Sequence, residues 1–132
     1  MSNDKVQPDI GKLVLRLALG ILILLHGIAK LRSGVDPIAQ MLAAHGLPAF
    51  LAYGAYAGEV LGPLALISGF HARIGAALIA VNMLFALALA HLSQLTQLNE
   101  QGGWSLELQG MYLFTAIALM LMGPGRYSVD PR

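Results

Sequence analysis

Cysteine is absent from the 132 residues, which removes disulfides, thiolate metal ligation and thiol exchange from this chain's own chemistry. Any redox role must therefore run through something other than sulfur. Charge is nearly as scarce: Asp, Glu, Lys and Arg make up 11% of the chain, against roughly 25% in an ordinary soluble domain. The net charge of +1 creates no field that would draw nucleic acid or an acidic substrate, so neither is an expected partner. No flavin, nicotinamide or iron–sulfur motif is present, no clustered metal-ligand spacing stands out, and Gly123-Pro-Gly125 is a helix stop followed by a turn rather than a phosphate loop. Without a linker or low-complexity tract, residues 1–132 read as one domain.

What fills the chain is hydrophobic, at 57% of residues. Apolar runs at about 10–31, 48–69, 72–92 and 106–123 each approach the roughly 20 residues that cross the hydrocarbon of a bilayer. They predict an all-α, membrane-spanning antiparallel four-helix bundle whose first partner is lipid. Lys5 and Lys12 precede the first run as in a signal peptide, yet the run closes on His26-Gly-Ile-Ala-Lys-Leu-Arg32 and not on a small-residue cleavage site, so it reads as a retained span. The turn Gly69-Phe-His-Ala-Arg73 can only reverse the chain, which makes spans two and three antiparallel neighbours. Between spans one and two, Ser33-Gly-Val-Asp-Pro37 starts a short helix that His45-Gly-Leu-Pro48 stops, and such a piece suits the membrane interface.

Basic residues set the orientation, because cytoplasmic loops carry their excess. An even number of spans puts Lys5, Lys12, Arg16, Arg73, Arg126 and Arg132 on one side and only Lys30 and Arg32 on the other. Both termini are therefore expected in the cytoplasm. Two helix-packing seams also stand out. Gly54, Gly58 and Gly62 recur every fourth residue on span two, which permits close backbone approach. Arg16, Gly20, Ile23, Gly27 and Lys30 trace a narrow line along span one, and the two seams are expected to meet.

Ionisable groups inside hydrocarbon are costly enough to need a partner or a function. At about 1.5 Å per residue, reversing at each span, His26, Lys30, His91 and Glu107 fall in the outer half, Glu59 near the middle and Arg16 toward the cytoplasm. With Tyr53, Tyr56 and Trp104 nearby, they outline a polar pocket opening outward. His26, Glu59 and Glu107 are the candidate proton-handling, catalytic groups; Lys30, Tyr53, Tyr56, His91 and Trp104 are the candidate ligand contacts. A quinone head group, with two carbonyls to be donated to and two protons to be taken up, suits such a pocket. Haem held by His26 and His91 suits it less well, since Asn82 lies about 180° around its helix from His91 and one of the two faces elsewhere. Each residue also has an ordinary reading: Lys30 and Glu107 can snorkel to the interface, and His91 can simply end its span. Arg16 and Glu59 are expected to form a buried structural ion pair, because a lone arginine at that depth is uncompensated.

In its ordered motifs the chain resembles the DoxX family of small membrane proteins. The resemblance rests on Arg16-Leu-Ala-Leu-Gly20, His26-Gly-Ile-Ala-Lys30-Leu31, Gly46-Leu-Pro48, Gly58-Glu59-Val-Leu-Gly62 with Gly69 and Arg73, then Glu107-Leu-Gln-Gly110 and Gly123-Pro-Gly125. It implies a four-helix bundle of the bacterial inner (cytoplasmic) membrane, with some relatives similar to the small subunit of a thiosulfate:quinone oxidoreductase and others linked to oxidative-stress complexes. Arg16, Lys30, Glu59 and Glu107 are the polar positions it carries over.

The function expected is thus an inner-membrane component of a quinone-linked redox or oxidative-stress system, working with a membrane or soluble redox partner protein. The alternative is a non-catalytic scaffold that recruits a partner enzyme. A glycine-rich bundle of this size is also compatible with a homodimer. Orientation is open to a direct check: a reporter active only in the cytoplasm should work when fused after Arg132 and stay silent when inserted near Gly102, and the reverse pattern would refute the charge count.

Overall fold

A computed structural model describes residues 6–90, 97–98, 100 and 102–129. Its ordered elements are helices: α1 (Val6–Ser33), α2 (Asp36–Ala44), α3 (Ala49–Ser68), α4 (Ala72–Ala90) and α5 (Glu107–Met122). Among the described residues there is no strand, only an isolated antiparallel bridge between Leu98 and Trp104. Helices α1 and α3 are long and apolar enough to cross a membrane; α4 and α5 are apolar and shorter.

Local chemistry accounts for the boundaries. Pro37 lies in the first turn of α2, where its missing N–H costs nothing. His45 and Gly46 end that helix with N–H bonds back to Met41, Leu42 and Ala43, and Gly46 takes the left-handed conformation. The α3–α4 reversal also needs a left-handed residue, Gly69 at φ +78. His71 follows at φ +51, a conformation uncommon outside glycine.

Helix α3 is not uniform. It opens as a 3₁₀ turn over Ala49–Tyr53, runs as α through Gly54–Tyr56, widens to a π turn over Ala57–Leu61 and returns to α over Gly62–Ser68. Pro63 explains the widening. It has no N–H to offer the Glu59 carbonyl four residues back, and its ring crowds that oxygen, so the helix admits an extra residue per turn.

Packing joins α4 to α3 on one side and α5 on the other, while α1 lies against α3 and α5. The shared core holds Leu19 and Ile23 of α1, Leu66 of α3, Ile79 and Met83 of α4, and Leu113 and Leu119 of α5. Val35, Leu42 and Ala52 form a second cluster that seats α2 on the start of α3. The outside is apolar as well: Val14, Ile21, Leu25, Ile74, Phe85, Phe114 and Leu121 are all exposed. Large exposed apolar residues on the four long helices, with small residues between them, is the distribution of a chain solvated by lipid, where packing rather than water exclusion holds helices together.

Glycine contacts revise the expected seams. The line along α1 is buried as expected at Arg16, Gly20, Ile23 and Gly27. The α3 glycines, however, face α4 and not α1. A Cβ on Gly62 would lie 2.9 Å from the Gly75 carbonyl oxygen, one on Gly75 would lie 2.7 Å from that of Gly62, and one on Gly58 would overlap Asn82. Gly20 and Gly27 meet other parts of α3, namely Pro63 with Ile67 and the Glu59 backbone with Val60. Gly54 packs on nothing, because an added Cβ there meets open space, so its place among the packing glycines is withdrawn. The cause is the π turn, which rotates the face of α3 beyond it. Accordingly Gly58→Ala should lower the thermal midpoint in detergent markedly, whereas Gly54→Ala should leave it unchanged or raise it slightly through helix propensity, by up to about 1 kcal/mol; equal effects would contradict this facing.

Candidate functional site

Arg16 is 1% exposed, and its partners are carbonyls. Nε donates to Leu66 O at 2.9 Å, and Nη1 donates to Pro124 O at 2.7 Å and Tyr127 O at 3.0 Å. The Leu66 carbonyl is left open because α3 ends two residues later and the Phe70 N–H turns to the Ser68 hydroxyl instead. Arg73 does the same for α5, with Nη1 donating to Met120 O at 3.1 Å and Leu121 O at 2.9 Å. Gly123 makes room for it, since a Cβ there would fall 2.8 Å from the guanidinium. Two helix C-termini, the negative ends of their dipoles, are thus each closed by a guanidinium from another helix.

The expected Arg16–Glu59 ion pair is therefore corrected. Arg16 bonds the Leu66 carbonyl and Gly20 meets Pro63 and Ile67, and this register places Gly27 against Glu59. Arg16, eleven residues from Gly27, is then about 16 Å away along the axis, beyond a side chain's reach.

Glu59 pairs with Lys30. The lysine Nζ lies 2.7 Å from both Oε1 and Oε2, and the two side chains are 25% and 10% exposed, lysine first. Glu59 sits in the π turn, and its own carbonyl, freed by Pro63, faces Gly27 so closely that any Cβ would overlap it. One irregularity of α3 therefore brings both the carboxylate and its backbone against α1. Tyr56 joins through a long hydrogen bond of 3.3 Å from its hydroxyl to the Lys30 carbonyl. The Lys30 ammonium faces both oxygens of Glu59 and, with three N–H groups, keeps donor capacity for a ligand.

His26 and Tyr53 lie beside this pair and not in it. His26 stands one turn before Lys30, exposed, with Nδ1 3.0 Å from Leu22 O. A carbonyl only accepts, so Nδ1 is the donor of that bond and Nε2 is the ring nitrogen it leaves unengaged. Tyr112 of α5, which the sequence reading missed, meets the His26 ring edge-on with centroids 6.2 Å apart; its spacing in an apolar run gave no sign of this. Tyr53 is exposed and touches the cluster only through the Tyr56 ring, 6.3 Å away. Glu107 opens α5 with an exposed side chain. Trp104 is half-buried and covers Gly110, where a Cβ would lie 2.7 Å from its ring. His91 lies outside the described residues. Two shallow apolar grooves of about 350 and 460 Å³ lie elsewhere, one beside His71 and one beside Lys12, so neither is the outward polar pocket expected from the sequence.

An all-helical, membrane-associated protein with charged groups paired between its helices is the class these features define. The chain belongs to the DoxX family, whose sequence pattern matches residues 11–92. A curated relative, the provisionally named oxidoreductase CatD of Bacillus subtilis (strain 168), is 32% identical over 123 residues, covering 93% of this chain and 87% of the relative. No solved structure matches the chain.

The pairing is testable by double-mutant cycles. Lys30→Met leaves a carboxylate only 10% exposed without its partner and should cost about 3 kcal/mol. Glu59→Gln leaves a lysine that can turn toward solvent and should cost less. The double variant should recover much of the larger loss. Arg16→Leu combined with Glu59→Gln should instead be additive within about 0.5 kcal/mol, and strong coupling in that cycle would restore the Arg16–Glu59 pairing.

Proposed function

We propose that this chain is a four-span, inner-membrane component of a quinone-linked redox or oxidative-stress system, with both termini in the cytoplasm and the Lys30–Glu59 pair at its ligand site. The observation that carries the reading is that pair: a charged, partly open donor and a nearly buried carboxylate, held between α1 and the π turn of α3. Irregular turns of this kind recur at functional sites. The redox character is supported by the name of the Bacillus relative.

The donor set fits a quinone head group. Lys30 offers an N–H to a carbonyl oxygen, Tyr56 borders the pair, and His26 presents its unengaged Nε2 one turn away. When bound, a quinone supplies two-electron, two-proton chemistry, with electrons from a partner redox protein or a small reductant. Glu59 holds the Lys30 ammonium in place, while His26 and Glu107 exchange protons with the outer aqueous side.

A scaffold role is the second reading. It is favoured by the start of α3, where Phe50 and Tyr53 stand 68% and 65% exposed beside the open face of Gly54, a surface suited to a protein partner. Purification in mild detergent followed by solvent extraction and mass spectrometry separates the two. Near-stoichiometric quinone in the wild type, lost in the Lys30→Met, Glu59→Gln double variant, is the expected outcome. A quinone-free protein holding a stoichiometric protein partner would replace the first reading with the second.

A further inference from the structure

Between Ile74 and Ala90 the one polar side chain is Asn82, near the middle of α4. Its Cβ and Cγ lie against Gly58 of α3, on the edge of α4 beside the shared core, to which α4 contributes Ile79 and Met83. The residue is half-buried, and its amide forms no hydrogen bond with the described residues. Nor is the amide sealed in, because every fully buried side-chain nitrogen or oxygen among the described residues has a partner.

The same edge of α4 runs into the shallow groove of about 350 Å³ between α3 and α4. Ile74 and Leu78, successive turns before Asn82, form its α4 wall, and Leu61 and Leu64 form its α3 wall. Leu61, Leu64 and Ile74 are exposed, and no Asp, Glu, Lys or Arg lines the groove. Beyond Asn82 the surface stays open. Gly54, about one turn from Gly58 along α3, has empty space where a side chain would stand, and Phe85 is exposed one turn further along α4.

We propose that two copies of this chain pack through this α3–α4 surface, with their Asn82 amides hydrogen-bonded to each other across a two-fold axis. With α4 crossing the bilayer, the four-span reading on which this contact rests, Asn82 stands roughly 15 Å from the Ala72 end of its helix, deep in hydrocarbon. An amide without a partner is unfavourable there. An acyl chain lying in the groove offers neither donor nor acceptor at that depth, so lipid leaves the amide unsatisfied. A second copy satisfies it. An isologous contact can set a residue against its own copy, and an amide both donates and accepts, so Nδ2 of each Asn82 donates to Oδ1 of the other. Polar bonds of this kind associate helices in membranes. A groove without acidic or basic residues also lets the face meet itself without like-charge repulsion.

The absence of cysteine makes the contact readable, since one introduced thiol is then the only one in the chain. The full chain is placed in vesicles of phosphatidylethanolamine and phosphatidylglycerol. Leu78→Cys and Phe85→Cys, which flank Asn82 and retain it, should cross-link to a dimer on mild oxidation. Ile21→Cys on α1 and Phe114→Cys on α5, also at exposed positions, should stay monomeric. On dilution with lipid the wild type should pass from dimer to monomer. Asn82→Leu keeps the branched shape against Gly58 and removes the amide, so it should raise the dissociation constant about tenfold. A wild type that is monomeric at every dilution, cross-linking only through α1 or α5, or an unchanged dissociation constant in Asn82→Leu would each overturn the proposal. A small molecule bound to the monomer and lost in Asn82→Leu would overturn it in favour of a ligand at the amide. The wild-type and cysteine results decide the matter even if Asn82→Leu does not fold. A silent reporter near Gly102 with no cross-link means that α4 crosses the bilayer unpaired, whereas an active reporter there fails the four-span reading itself.

Discussion

Backbone carbonyls at helix ends have no water to turn to when the surroundings are lipid, and this constraint organises the molecule. The chain meets it with guanidinium groups. Arg16 reaches from α1 to the open carbonyl of Leu66 and to Pro124 and Tyr127 in the segment after α5. Arg73 reaches from α4 to the last turn of α5. The tail is fastened on the same principle, with Val129 N–H donating to Ser68 O at 3.1 Å. A buried arginine bonded to three carbonyls keeps its charge without any carboxylate, because the negative ends of helix dipoles and the carbonyl oxygens together replace hydration. The three segments it links are distant in sequence, so one side chain sets the register of α1, α3 and the tail at once.

That register decides what happens higher in the molecule. With Arg16 level with the end of α3, Gly27 arrives at Glu59 and Lys30 arrives at its carboxylate. Pro63 contributes from within α3 by freeing the Glu59 carbonyl and widening the turn. The same widening turns Gly58 and Gly62 toward α4, where the Gly62–Gly75 approach lets two backbones touch. A single proline thus serves both the ion pair and the α3–α4 packing. Side-chain volume at Gly27 or Gly62 would interfere with both.

The two ends of the molecule consequently treat charge differently. At one end, arginines are saturated by carbonyls and serve architecture. Around α2 and the middle of α3, a lysine keeps donor capacity in reserve, a histidine leaves its Nε2 outside the bond to Leu22 and a tyrosine hydroxyl lies beside them. The proposed ligand site lies with the second group, since a residue whose donors are all engaged within the fold has nothing to offer a ligand.

Periodicity and composition alone determined the helical class, the short helix after Ser33, the tight reversal at Gly69 and the buried line from Arg16 to Gly27, because each depends on residues near one another in sequence. They also marked Lys30 and Glu59 as polar residues needing an explanation. Which partner each would take was not legible. Arg16 and Glu59 looked within reach when depth was counted from the ends of the apolar runs; packing instead sets Arg16 at Leu66 and Gly27 at Glu59, and no local pattern records that register. The Tyr112 contact with His26 was hidden for the same reason, as an aromatic in an apolar run carries no sign of which helix it will meet. The facing of the α3 glycines turned on how a proline distorts a helix in company, since the freed carbonyl needs Gly27 opposite it. Sequence supplied the groups that must be satisfied, and only the tertiary register, set by long-range carbonyl and glycine contacts, decided which of them satisfy one another.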